Sequence, residues 1–131
     1  MQQPEFDPLL FLQLADELVT DDADEATLRT AVGRAYYAVF LLARSKVVVR
    51  GRHNIHERVR QAISPENVRA ASLLGSIASV RFIADYELQP NNPTYRNWRR
   101  NWERVRNDVV KVLEELTTLP DIVAEQTDDQ S

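Results

Sequence analysis

The sequence has no cysteine, one methionine, two histidines and three glycines in 131 residues. Without cysteine there is neither a disulfide framework nor a thiolate metal site, and a reducing cytoplasmic setting is compatible with that composition. No apolar run approaches the ~20 residues that a membrane-spanning helix needs, so no membrane association is expected. The opening residues MQQPEFDPLLFLQLADE carry no basic stretch and meet acids at once, so a secretory signal is not expected either. Phosphate-cradling glycine loops, nucleophile elbows and zinc-ligand spacings are missing. Conventional kinase, hydrolase and metalloenzyme chemistry is therefore not expected, and neither is a metal or cofactor.

Positive charge is missing from both ends. Every Lys and Arg lies between Arg29 and Lys111, sixteen cations against six acids, a net +10 inside a chain of net −4. Fourteen of the sixteen are arginine, the better bidentate partner for phosphate. A basic middle points to an anionic partner such as RNA, DNA or a nucleotide. The alternative is that the acidic ends pack alongside and neutralise it.

The rest of the pattern is helical. Asp7 as N-cap with Pro8 at the first position announces a first helix, with Leu10, Leu14 and Leu18 beside Phe11 and Ala15 as its apolar stripe. Asp22 and Glu25 have capping-box spacing for a second helix. This helix carries Leu28, Val32, Ala35, Val39 and Leu42 and ends near Arg50–Gly51. Gly33 in its interior is read as a place where another helix approaches closely. A short third helix follows Asn54, with Ile55, Val59, Ala62 and Ile63 as its apolar edge. Ser64–Pro65 ends it and caps a fourth helix bearing Val68, Ala71, Leu74, Ile77 and Ala78. LQPNNP (88–93) is the clearest loop. A last helix from about Thr94 to Thr118 repeats Tyr95, Trp98, Trp102, Val105, Val109, Val112 and Leu116. The prediction is an all-α fold, an antiparallel up-and-down four-helix bundle with one short extra helix, over residues 1–120. Residues 121–131 are expected to form an acidic, disordered tail.

Three segments exceed generic helical sequence: Val32-Gly33-Arg34-Ala35-Tyr36-Tyr37-Ala38-Val39-Phe40, then His56-Glu57-Arg58-Val59, then Arg81-Phe82-Ile83-Ala84-Asp85-Tyr86. In this order and spacing they resemble the HEPN domain family of small prokaryotic helical proteins, in its UPF0332-like branch. The resemblance spans about Asp7 to Leu116. It implies a four-helix up-and-down bundle that forms a homodimer. It also implies a metal-independent endoribonuclease of a toxin–antitoxin or defence system, or an inactive relative that acts as a binding module. A small nucleotidyltransferase or an antitoxin is the implied protein partner. Active members carry Arg, four to six residues, then His on a late helix, paired across the dimer. Here His53 and His56 both precede the fourth helix, Gly51 and a loop separate Arg50 from His56, and the residues after Arg81 include Asp85 and Tyr86 rather than histidine.

RNA cleavage without metal needs a base for the 2′-hydroxyl and cations for the transition state. His56, in a helix's first turn among Arg50, Arg52, Arg58 and Arg60, is the candidate base. Its alternative role is to hydrogen-bond a neighbouring helix. Arg81 is the second catalytic candidate, facing a phosphate or else joining Asp85 with Arg34 or Tyr37 in a register-fixing cluster. Tyr36, Tyr37 and Tyr86 either stack on bases or enter the core. Arg96, Arg99, Arg100, Arg104 and Arg106 make one side of the last helix basic. The candidate nucleic-acid or nucleotide contacts are thus Arg34, Tyr37, Arg50, Arg52, Arg58, Asp85, Tyr86, Arg96 and Arg100.

Overall fold

The computed structural model describes residues 5–120, and every regular element among them is helical. Five α-helices follow one another: α1 (Leu9–Leu18), α2 (Glu25–Ser45), α3 (Ile55–Ile63), α4 (Val68–Tyr86) and α5 (Trp98–Thr117), with a single 3-10 turn at Pro93–Tyr95 before the last. No described helix is long and apolar enough to cross a membrane. The acidic segment 121–131 lies outside the described residues.

Asx side chains set most helix starts, at positions that differ from the sequence expectations. Asp24, not Asp22, caps α2: its backbone is extended and its carboxylate accepts from Thr27 N–H at 2.9 Å. Asp22 is occupied by the Thr20 hydroxyl at 2.8 Å. Ser64–Pro65 ends α3, but α4 starts three residues later, where Asn67 accepts from Ala70 N–H at 3.0 Å. Asn67 also donates to Glu115 of α5 at 2.9 Å, which ties that start to the tertiary packing. Asn97 likewise caps α5, so this helix begins at Trp98 rather than Thr94.

α2 stops at Ser45, five residues short of the expected Arg50–Gly51. Val47 and Val49 are buried and Val48 is exposed, an alternation that fits extended backbone rather than helix. Three consecutive β-branched residues favour that outcome. Gly51 (φ 77°) and Asn54 (φ 51°) then take left-handed conformations to turn the chain into α3.

The core gathers around α2, which packs against all four other α-helices. α2 buries Leu28, Val32, Ala35 and Val39 and packs on α5, whose Trp98, Trp102, Val105, Val109, Val112 and Leu116 are all buried, whereas Tyr95, also expected in that stripe, is half-buried in the 3-10 turn before the helix. α1 is rotated from expectation. Leu12 and Ala15 point inward, Phe11 and Leu18 are half-buried, and Leu10 and Leu14 are exposed. Leucines at 9, 10, 12, 14 and 18 offer two overlapping stripes, and packing on α2 selects the one through Leu12. The start of α2 meets both the end of α4 and the start of α5 through Arg29. Lys46 just after α2 donates to Leu119 O just after α5, at 3.1 Å.

Gly33 does not mediate a close helix approach: a Cβ built there meets nothing within 4 Å. Gly33→Ala is accordingly expected to raise stability by about 0.5–1 kcal/mol, read as a higher denaturation midpoint at unchanged slope.

Candidate functional site

Tyr36 and Phe40 are one helical turn apart on α2, so their rings share a face (centroids 5.8 Å, 21°). His56, in the first turn of α3, lays its ring on that face: 4.2 Å and 21° from Phe40, 5.6 Å and 18° from Tyr36. Its Nδ1 is 2.5 Å from the Tyr36 hydroxyl oxygen. Tyr37 meets the imidazole edge-on at 6.0 Å. The expected bond from His56 to a neighbouring helix is therefore present, and it is made to Tyr36.

Cations surround these rings. Arg81 enters from α4, donates through Nη2 to the Tyr37 hydroxyl at 2.9 Å, and holds its guanidinium 5.3 Å from both tyrosine rings. Arg34 lies 5.0 Å over Phe11 and 5.4 Å over Tyr37. Arg60, one turn beyond His56 on α3, runs along Gly75 of α4 and acts on both the Tyr36 hydroxyl and His56. Asp85 is the expected partner of Arg81, but its carboxylate stands off at 3.6 Å and is 44% exposed. The Arg81 side chain is only 15% exposed, and among the described residues its Nε has no hydrogen-bond partner. Within those residues positive charge is thus concentrated here with little direct compensation.

The titratable groups register this. Burial pushes the Tyr36 phenol up to about 12 even though Arg81 and Arg60 pull it down, so the hydroxyl keeps its proton. Burial, then Arg81 and Arg60, hold His56 below the ordinary imidazole value of 6.5, so the neutral ring is favoured. A histidine depressed on folding supports the fold above the unfolded value and ceases to do so as pH falls through its folded value. Acidification from about pH 8 to about pH 5 should therefore destabilise the protein, and less steeply in His56→Gln. Equal pH dependence in both proteins would contradict this assignment.

Of the residues expected to bind or react, Arg34, Tyr37, His56 and Arg81 converge, with Asp85 at the margin. The others stand apart. Arg50 and Arg52 are exposed in the connector before α3 and neither bond to nor stack on the cluster. Arg58 donates to His53 O at 3.1 Å. Arg96 braces the 88–93 loop through Pro90 O (2.9 Å) and Asn91 O (3.2 Å), and Arg99 does the same for the α1–α2 link through Thr20 O and Asp21 O. Arg104 lies over Tyr95, and Arg106 pairs with Asp16 of α1 at 2.8 Å. Arg100 is exposed. The α5 arginines are thus largely structural and do not form a free track for a phosphate backbone. Tyr86 is neither core nor cluster: it is 68% exposed and packs on Phe82 (4.8 Å), itself 54% exposed.

Tyr36 and Arg60 belong to the site although sequence reasoning valued one only as an aromatic and the other only as charge. The signal was the pair of i,i+4 couples, Tyr36/Phe40 and His56/Arg60. Among the described residues no group of His, Asp or Glu is arranged to hold a metal ion. Set against known proteins, the chain matches no family model, no curated protein and no solved structure.

Proposed function

We propose that this protein engages RNA or a nucleotide through the cluster of Arg34, Arg60 and Arg81 around Tyr36, Tyr37 and His56. The observation that carries this reading is the pair of Arg34 and Arg81 guanidiniums on aromatic rings, with Arg60 acting on the Tyr36 hydroxyl and His56 and, among the described residues, one carboxylate at 3.6 Å. A phosphate supplies the missing negative charge, and arginine is the side chain suited to it. The reading includes a HEPN-like, cytoplasmic, homodimeric protein of the ribonuclease type or a silent relative of it, with His56 and Arg81 at the centre of the site. It also takes the four long helices as an antiparallel up-and-down bundle. The meeting of the α2 start with the α4 end, and of the α4 start with the α5 end, supports that arrangement. The exposed Phe82–Tyr86 pair favours a second reading, an interaction module that docks on a protein such as a nucleotidyltransferase or antitoxin.

Binding of labelled single-stranded RNA and of a nucleotide, followed by anisotropy against salt, tests the first reading. Three phosphate-directed cations predict a slope of log affinity on log salt of about −2 for single strands. Loss of full-length RNA with chelator present, abolished by His56→Ala, would place the protein among the ribonucleases. No affinity for either probe at low salt would remove the reading.

A further inference from the structure

The Tyr36–His56 contact has a direction. Tyr36 is 2% exposed, so its O–H proton must be given to an acceptor inside the protein. Around that hydroxyl stand the guanidiniums of Arg60 and Arg81, which carry only donors, and the His56 Nδ1 at 2.5 Å. Among the described residues, Nδ1 is the one hydrogen-bond acceptor that the hydroxyl reaches. Nδ1 must then be bare, and in a neutral imidazole the proton resides on Nε2. His56 is only half-buried, and with Nδ1 turned to Tyr36 its Nε2 lies on the other side of the ring.

We infer that Tyr36 is a positioning residue that fixes His56 as the Nε2–H tautomer, so that the accessible face of the cluster presents hydrogen-bond donors to a phosphate group. The inference rests on the phosphate reading above and gives His56 a different part from the candidate base. A base needs a bare nitrogen facing the substrate, whereas here the outward nitrogen carries the proton. Tyr37 fits the same pattern: its oxygen accepts from Arg81 Nη2, which leaves its own O–H to donate outward. Arg34, Arg60 and Arg81 donate under all conditions. Guanidinium, phenol and imidazole N–H together suit the oxygens of one phosphate, whether at the end of an RNA strand, within it, or on a free nucleotide.

The test is a nitrogen-15 NMR spectrum of histidine-labelled protein, alone and with three probes: adenosine monophosphate, a 5′-phosphorylated oligoribonucleotide and its 5′-hydroxyl counterpart. In the free wild type, Nδ1 should resonate as an unprotonated nitrogen and Nε2 as a protonated one. The Nε2 signal should move on binding while Nδ1 keeps its type. Binding of both phosphorylated probes alone would assign the ligand as a terminal phosphate. Binding of both oligonucleotides but not of the monophosphate would assign it as a phosphate within the strand. Tyr36→Phe should mix the two tautomers and weaken the bound probe about tenfold, the effect of one hydrogen bond to an anion. A protonated Nδ1 in the free wild type would overturn the inference without any variant, as would an unchanged tautomer and affinity in folded Tyr36→Phe. Should no probe bind while Nε2 carries the proton, the phosphate reading fails and the tautomer assignment stands alone.

Discussion

Arg29→Ala should lower stability by about 3–4 kcal/mol, the largest loss expected from any single surface-reaching charge in the fold. The Arg29 guanidinium donates to Ile83 O, Ala84 O and Glu87 O through Nη1, and to Leu88 O through Nη2, at 2.6–3.5 Å. Ala84 O lies in the last turn of α4 and Glu87 O and Leu88 O just beyond it, where acceptors have no intrahelical donor, while Ile83 O also accepts from Glu87 N–H. The same group lies 4.5 Å over the Trp98 ring and pairs with Glu25 at 3.0 Å, with 16% of its side chain exposed. A single side chain thus caps α4, anchors the start of α2 and covers the first buried residue of α5. Truncation strands several carbonyls at once, and Arg29→Lys should recover little, since an ammonium cannot span the same fork. Urea denaturation reads the effect as a lower midpoint at constant slope. A loss below about 1 kcal/mol would mean that water replaces these bonds at no cost.

Arg81→Leu should behave in the opposite way. It is expected to weaken phosphate-ligand binding by about ten- to a hundredfold, the contribution of one charge-assisted donor. Stability should change by no more than about 1 kcal/mol. The substitution loses a bond to the Tyr37 hydroxyl and a distant pairing with Asp85, but it also removes a buried Nε that has no hydrogen-bond partner among the described residues. Arg81 is the second cause holding His56 down, after burial, so the His56 titration should move upward in this variant. An NMR titration reads that shift independently of ligand. A cluster that serves only to fix helix register would give the reverse: a large loss of stability with no effect on ligand.

These two arginines also mark what was legible in the sequence. The α5 stripe from Trp98 to Leu116 was plain because large apolar residues recur there without a competing register. α1 was ambiguous because five leucines in ten residues satisfy more than one stripe, and only contact with α2 decides between them. Helix starts were misplaced where several Asx and Ser residues compete, as at Asp22 and Asp24 or at Ser64 and Asn67, since capping depends on which oxygen reaches which N–H. In the site, a meeting of Arg81 with Tyr37 was legible from the spacing of their segments, but nothing in the sequence joined His56 to that pair. Arg58, Arg96 and Arg99 looked like phosphate ligands because a sequence displays charge but not the carbonyls within its reach. Arg29 went unnoticed for the same reason.

Among the described residues, acids of the two ends pair with Arg29 (Glu25) and Arg106 (Asp16), while Arg34, Arg60 and Arg81 face rings and hydroxyls. Charge satisfied by a ring or a carbonyl is not cancelled, and it remains available to an anion.

Chemical-shift mapping of the nucleotide titration bears on this most directly. Perturbations confined to the side chains of Arg34, Tyr37, His56, Arg60 and Arg81, saturating together, are the predicted result. Perturbations centred instead on Arg96, Arg99 and Arg100, or a titration that leaves every one of these signals in place, would contradict it.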